Sequence, residues 1–335
     1  MAKIVQNTGG RARSRGIIIG KFMPPHRGHQ YLVDFANNYV DDLTVLVCSL
    51  KSEPIPGEMR FEWMKEMFPG VNIIHVTDEN PQEPVENPDF WNIWKGTIMK
   101  AIPEGADYIF ASEDYGWKLG ETLGMEYIPV NHARNLVPIS GTKVRNEPMK
   151  YWEYIPESVR PHYVKRICIF GPESTGKTIL TKNLATHFNT IYCEEYARGL
   201  LEFKDGKVDY EDITRIALGH AASEEALARQ ANRVLFSDTD LIITKLWSNI
   251  LFEKCPEWIE EMILTRHYDM YLLMDVDVPW VEDNQRYFPE QEKRKWFFDL
   301  CVEALEKYNR PYEIISGGWD ERLQKAISVV DNLLK

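Results

Sequence analysis

Gly171-Pro172-Glu173-Ser174-Thr175-Gly176-Lys177-Thr178 is the stretch on which the reading of this chain turns. It follows the apolar run Ile167-Cys168-Ile169-Phe170 and precedes Ile179-Leu180-Thr181-Lys182-Asn183-Leu184. Strand, glycine-bearing loop and helix in that order make a phosphate cradle. The loop turns its backbone N–H groups inward, and the helix adds the positive end of its dipole. In such a loop the lysine reaches the β- and γ-phosphates and the hydroxyl after it holds Mg²⁺. Gly171, Glu173, Ser174, Thr175, Gly176, Lys177 and Thr178 are therefore the expected ATP contacts, with Lys177 catalytic and Thr178 a metal ligand. An ordinary glycine-rich turn is the competing reading; the motif with its flanking strand and helix argues against it.

The chain after this loop keeps alternating strand and helix. Thr190–Cys193 leads into Glu194-Glu195-Tyr196-Ala197-Arg198. Two carboxylates at the end of the second strand stand where a nucleoside kinase keeps the base for its substrate hydroxyl. Glu194 and Glu195 qualify equally, with plain surface charge as the alternative. Residues 209–232 predict a long helix. Arg233–Asp238 predicts a buried strand ending in a carboxylate, which suits Asp238 for Mg²⁺, directly or through water. Asp240 lies close enough to touch substrate. Tyr268–Met274 is a further strand, and the segment after it is polar and charged. In small kinases with this loop, a lid in that position closes an arginine over the transferring phosphate, which points to Arg286. Lys293, Arg294 and Lys295 follow on a helix, where a solvated face is the alternative. Tyr312–Ser316 and residues 319–334 give the last strand and helix.

The 335 residues suggest two domains. With 44% hydrophobic and 27% charged residues the chain is globular with ample core. The net charge of −12 disfavours nucleic acid and anionic membranes as partners. Cys48, Cys168, Cys193, Cys255 and Cys301 are scattered, odd in number and without a CxxC, which reads as reduced thiols in the cytoplasm. No apolar run has transmembrane length, and no signal-peptide core is present. Residues 1–15 read as a disordered arm.

The first half opens with a short buried strand, Gly16–Gly20, and then Lys21-Phe22-Met23-Pro24-Pro25-His26-Arg27-Gly28-His29. A helix follows, with Tyr31, Leu32, Phe35, Ala36 and Tyr39 on one face. The prolines keep the loop extended, so His26 and His29 sit at a helix N-terminus, again a phosphate site. Two imidazoles there can donate to phosphate oxygens. Gly28 lets a nucleotide approach the backbone. Zinc is a weak rival without a third ligand. Further strands are expected at Leu43–Val47, Val71–Val76, Asp107–Ala111 and Tyr127–Val130. Helices are expected near Glu58–Phe68, Asp89–Ala101 and Gly116–Leu123. This is a parallel α/β sheet with its ligand at the carboxyl edge. Phe90, Trp91 and Trp94 read either as core packing or as a flat surface for a pyridine ring. Ser112–Gly116 is placed to line an acceptor pocket. Arg60 reads either as a phosphate contact or as a solvated helix residue.

Gly20, Phe22, Pro24, His26, Gly28 and His29 resemble the GxFxPxHxGH motif of the nucleotidyltransferase α/β-phosphodiesterase superfamily. Its second motif, ISxTxxR, is matched by Ile139-Ser140-Gly141-Thr142-Lys143-Val144-Arg145. The resemblance implies that Gly20, Phe22 and Gly28 contact the nucleotide. It also implies that Ser140, Thr142 and Arg145 bind the β- and γ-phosphates of ATP, with Arg145, His26 and His29 catalytic. The Pro-containing, aromatic stretch 148–163 is a connector expected to pack, dividing a domain over 16–147 from one over 164–335.

Nucleotidyltransferase first and P-loop kinase second, the chain resembles the NadR-type bifunctional enzymes over nearly its whole length. The further marks are Glu195-Tyr196-Ala197-Arg198 and Val278-Pro279-Trp280-Val281-x-Asp283-x-x-Arg286. The resemblance implies an N-terminal Rossmann-like nucleotidyltransferase domain and a P-loop kinase domain, both with parallel sheets. It implies that ATP with Mg²⁺ phosphorylates nicotinamide riboside to NMN, and that NMN then takes AMP from ATP to give NAD and pyrophosphate. Trp91, Trp94, Asp240, Trp280 and Asp283 become candidate substrate contacts. Fuller bacterial members carry a helix-turn-helix domain; about 15 residues before the first strand are too few for one, and no operator binding is expected. A homo-oligomer is left open. Two rival readings remain. One is a nucleotidyltransferase for another acceptor fused to a different nucleoside kinase. The other is a nucleotide sensor without turnover, which intact Lys177, Thr178, Asp238, His26 and His29 oppose.

Overall fold

The computed structural model describes residues 13–133, 135–282 and 286–335. It divides into two compact units, one ending at Val159 and the other starting at Arg160.

The first unit runs β1 (Arg15–Gly20), α1 (Arg27–Tyr39), β2 (Asp42–Cys48), α2 (Gly57–Met67), β3 (Asn72–Val76), α3 (Phe90–Ala101), β4 (Tyr108–Ala111), α4 (Tyr115–Leu123), β5 (Glu126–Pro129) and α5 (Gly141–Asn146). The strands are parallel in the order β3-β2-β1-β4-β5. The four strands expected after the first appear with each end shifted by at most one residue. Alternate residues of the central strands feed two cores. Ile18, Val45, Val47 and Phe110 pack with Leu32, Val33 and Ala36 of α1 and Met64 of α2. Ile17, Leu46 and Ile109 pack on the other face with Ile98 of α3 and Leu119 of α4. A sheet covered on both faces explains strands that are apolar almost throughout. Each fully buried Ile, Leu or Phe contributes roughly 1.5–3 kcal/mol.

The second unit runs α6 (Arg160–Tyr163), β6 (Lys165–Phe170), α7 (Lys177–His187), β7 (Tyr192–Cys193), α8 (Tyr196–Phe203), α9 (Tyr210–Ala228), β8 (Val234–Asp238), α10 (Leu241–Phe252), α11 (Glu257–Thr265), β9 (Met270–Met274), α12 (Gln291–Lys307), β10 (Tyr312–Ile315) and α13 (Trp319–Leu333). Its strands are parallel in the order β10-β9-β6-β8-β7. Ile167, Ile169, Val234 and Phe236 pack with Leu180 and Leu184 of α7 and Val330 of α13. Cys168, Phe170, Tyr271 and Leu273 face α9, α10 and α12 through Ile213, Ile243 and Phe297. Both sheets are the parallel α/β type expected, with helices on each face.

The strand order reverses around β1 and around β6, and the loop after each leaves the sheet at its carboxyl edge. That crevice is where open α/β sheets take their ligands. In the connector, Trp152, Ile155 and Val159 are buried. Arg15 of the expected arm belongs to the sheet instead, and Ser14 is tied beside it. Arg15 pairs with Asp42, and the Ser14 amide donates to the Asp41 carboxylate at 2.9 Å. The first twelve lie outside the described residues. No helix among the described residues is long and apolar enough to cross a membrane.

Candidate functional site

In the first unit the loop after β1 enters α1 through a reciprocal cap. His26 is the N-cap, and its Nδ1 accepts the His29 amide at 3.3 Å. His29 Nδ1 accepts the His26 amide, also at 3.3 Å. The two rings stack with centroids 3.7 Å apart. A neutral ring whose Nδ1 accepts carries its proton on Nε2. The cap therefore puts the proton of each neutral ring on Nε2, at the positive end of a 13-residue helix. Gly20 ends β1 and Gly28 sits in the first turn of α1. Phe22 is buried and meets His29 edge-on at 4.9 Å, so it shapes the loop from beneath.

The second motif closes on this loop. Ser140 caps α5, accepting the Lys143 amide at 3.3 Å. Arg145 donates to the Met23 carbonyl, and through Nη2 to Thr142 Oγ1 at 3.1 Å. A side chain at Gly141 would place its Cβ 2.5 Å from the Met23 carbonyl oxygen. Backbone cannot yield as a flexible side chain does. Gly141→Ala is therefore expected to destabilise the first unit by roughly 1–3 kcal/mol, read as a lower denaturant midpoint. On the other side the Tyr115 hydroxyl donates to the Ile19 carbonyl at 3.1 Å, fixing the start of α4 beside the end of β1.

Two open readings in this unit meet the structure here. Arg60 is neither a phosphate contact nor solvated: it is fully buried. It donates to the Lys21 carbonyl at 2.6 Å and to Glu53 at 2.5 Å. Burial alone would raise the Glu53 pKa. The Leu50 amide, Lys21 and Arg60 outweigh it and hold the carboxyl below its usual value. Trp91 and Trp94 pack against the core on α3, and Trp94 Nε1 donates to the Pro81 carbonyl at 2.9 Å. Both rings are half-buried in this arrangement, as the core-packing reading expects.

In the second unit the phosphate loop wraps the start of α7. Gly176 has φ +86°, and a Cβ there would come within 2.4 Å of the Trp319 ring, so only glycine fits. Gly171, φ +130°, opens the loop. Thr175 Oγ1 and Lys177 Nζ donate to the Pro172 carbonyl at 2.8 and 2.9 Å. Thr178 Oγ1 donates to Asp238 Oδ2 at 2.5 Å. The other carboxylate oxygen, Asp238 Oδ1, is buried without a hydrogen-bond partner. An acceptor left bare beside a threonine hydroxyl suits a hard cation or its water. Burial pushes the Asp238 carboxyl up, against the pull of Lys177 and Thr178. No group of three or more His, Cys, Asp or Glu placed to hold a metal occurs among the described residues.

The structure separates Glu194 from Glu195. Glu195, the N-cap of α8, lines the cavity that holds the phosphate loop, and its pKa is raised by burial and then by Asp238. Glu194 accepts from the Tyr192 hydroxyl at 3.3 Å and does not line that cavity. Beyond Glu195 the cavity turns apolar, with Ile213, Ile243 and Trp247, and Arg198, Arg286 and Tyr287 complete its rim. Trp247 and Tyr287 meet at 5.4 Å between centroids.

Asp240, a candidate substrate contact by sequence, is buried and does not line the cavity. It caps α10, accepting the Ile242 and Ile243 amides at 3.0 and 3.3 Å and the Tyr271 hydroxyl at 2.8 Å. Burial outweighs these donors and raises its pKa from 3.8 to about 7. A carboxyl with a higher pKa folded than unfolded takes up a proton on folding. Its contribution to stability is therefore lost as pH rises from about 4 to about 7. Asp240→Asn keeps the capping oxygen, so its stability should fall less than that of the wild type over that range, in denaturation at about pH 5 and pH 8.

The segment after β9 lies against the phosphate loop. Val281 N donates to Ser174 Oγ at 2.7 Å, and Arg286 Nη1 reaches the same oxygen at 3.4 Å. The Tyr287 and Phe288 amides donate to Glu173 Oε2 at 2.9 and 3.4 Å. Trp280 donates to Glu282 and lies under the guanidinium groups of Arg286 and Arg294. Asp283 lies outside the described residues. In the run 293–295 the outer lysines are exposed and ion-paired, but Arg294 is buried and donates to the Val278 carbonyl at 2.9 Å. Sequence reasoning passed over Trp247. The signal available was the apolar run 241–252 following a capping aspartate and a strand that ends at the phosphate loop.

A family model described as an AAA domain matches residues 166–322. The trifunctional NAD biosynthesis/regulator protein NadR of Escherichia coli (strain K12) is 31% identical over 95% of this chain and 83% of its own length. The NadR of Salmonella typhimurium is 30% identical over 97% and 84%. Among solved structures, a NadR protein in complex with NAD and AMP-PNP superposes with a TM-score of 0.78 at 22% identity, covering 96% of each chain. A NadR protein in complex with NR gives 0.78 at 23% identity, covering 96% of this chain and 95% of that one.

Proposed function

This chain belongs to the NadR family, and on that premise we propose that it makes NAD from nicotinamide riboside in two steps, one in each unit. The cavity of the second unit carries the reading, because it joins a phosphate loop to an aromatic wall with the half-buried Glu195 carboxyl beside them. A cationic pyridine ring suits Trp247 and Tyr287. With the ring there, the riboside 5′-hydroxyl lies toward Glu195, whose carboxylate is made more basic by desolvation and by Asp238, as a proton acceptor needs. Glu195 takes the hydroxyl proton, the oxygen attacks the γ-phosphorus of ATP, and ADP leaves. Lys177 and Arg286 offset the charge on the moving phosphoryl group. Thr178 and Asp238 fit Mg²⁺, which when bound neutralises charge on the ATP phosphates.

In the first unit the NMN phosphate attacks the α-phosphorus of a second ATP, and pyrophosphate leaves. The paired Nε2–H groups of His26 and His29, with Arg145, Ser140 and Thr142, hold the triphosphate as its charge grows. The five free thiols suit a reducing cytoplasm.

The test is one incubation of protein, MgATP and nicotinamide riboside, with products read by mass spectrometry. NAD is the expected product. NMN alone would leave the second acceptor unassigned, and no product would overturn the reading.

A further inference from the structure

Glu173 is an odd residue for a phosphate cradle, because a carboxylate repels the anion that the loop binds. Its bonds explain it. Glu173 Oε2 accepts two consecutive amides, those of Tyr287 and Phe288, from a segment more than a hundred positions away in sequence. The first of these amides belongs to the peptide bond that follows Arg286. Arg286 and Tyr287 both line the cavity, and Tyr287 meets Trp247 there. The neighbouring loop residue adds a second tie, with Ser174 Oγ accepting from Val281 N at 2.7 Å. The loop thus keeps its backbone for phosphates and holds Val281, Tyr287 and Phe288 with its side chains.

We propose that Glu173 is a positioning residue for phosphoryl transfer, its carboxylate holding the turn at Arg286–Phe288 so that the arginine and the tyrosine face the bound substrates. This rests on the kinase reading above. Both amides go to one oxygen, so an amide side chain retains the necessary acceptor whereas a methyl group does not. The function is hydrogen-bond acceptance at a fixed place, not charge.

The test compares Glu173→Ala and Glu173→Gln in the full chain. Misplacement of a positioned group by about 1 Å costs up to ~10²-fold. Glu173→Ala is therefore expected to raise KM for nicotinamide riboside and lower kcat, reducing kcat/KM about 10- to 100-fold. Glu173→Gln should stay within about threefold of the wild type, since a neutral acceptor replaces a charged one. Conversion of NMN to NAD on the same preparations should not change in either. A second readout needs no turnover. Trypsin cuts after Arg286, and the scissile amide is the one Glu173 holds, so Glu173→Ala should be cut there faster than either wild type or Glu173→Gln. The proposal is overturned if Glu173→Gln falls as far as Glu173→Ala, which would assign the role to charge. It is overturned equally if Glu173→Ala changes only KM for ATP, or leaves cleavage at Arg286 unaltered. Failure of the wild type to phosphorylate the riboside would overturn the kinase reading alone, and the cleavage rates would still decide the role of Glu173.

Discussion

Lys177→Ala removes phosphorylation of nicotinamide riboside and leaves NAD formation from NMN at the wild-type rate. In the structure Lys177 Nζ rests on the Pro172 carbonyl at 2.9 Å, within the loop it belongs to. The bond is neutral on one side and readily exchanged for phosphate oxygens. Asp238 and Glu195 lie close enough for the lysine to pull down the pKa of each. Without it, the carboxyls of Asp238 and Glu195 face the triphosphate with less positive charge to offset them. Loss of one such donor costs about 2.7–4 kcal/mol of barrier, or 10²–10³ in kcat. The measurement is initial-rate NMN formation, with NAD formation from added NMN as the internal standard.

His29→Ala gives the converse result. NAD formation falls by about 10²–10³-fold and riboside phosphorylation persists. His29 has two tasks. On the proposed reading its Nε2–H serves as a donor for phosphate, while its Nδ1 accepts the His26 amide, half of the reciprocal cap. Removing a cap costs ~0.5–2 kcal/mol of stability, so the first unit should also melt earlier. His29→Asn separates the tasks, because its side-chain oxygen caps well while its short amide does not reach the phosphate as an imidazole does. That variant should recover stability without recovering rate. Loss of both activities in a folded His29→Ala or Lys177→Ala protein would overturn the assignment of one reaction to each unit.

Much of this was legible in the sequence because the fold relies on local signals. A parallel sheet covered on both faces writes its strands as short apolar runs, and ten strands occur among the described residues. The phosphate loop and the histidine loop are contiguous, so their residues are neighbours before the chain folds. Side chains that act at a distance were less legible. Arg60 reads as a phosphate contact or a solvated residue, and Arg294 as part of a charged lid or a solvated face, yet each guanidinium ends on backbone carbonyls, and no local pattern records where a long side chain finishes. Asp240 was taken for a substrate contact because it follows Asp238 by two residues. It turns the other way to cap α10. That helix was itself hard to read, since Leu241–Phe252 is apolar on most faces and gives little periodicity. Glu194 and Glu195 are adjacent in sequence, and only the start of α8 distinguishes the one facing the cavity.

The placement of β1 and β6 has one more consequence. Each lies in the middle of its sheet, with β2 and β4 flanking the first and β8 and β9 the second. Backbone amides in such strands are released to solvent deuterium only when the unit opens as a whole, whereas peripheral helices and edge strands exchange through smaller fluctuations. Each nucleotide loop is therefore rooted in the slowest-exchanging strand of its unit. Segments that must move during turnover can open many times while the anchor of the phosphate-binding backbone stays closed.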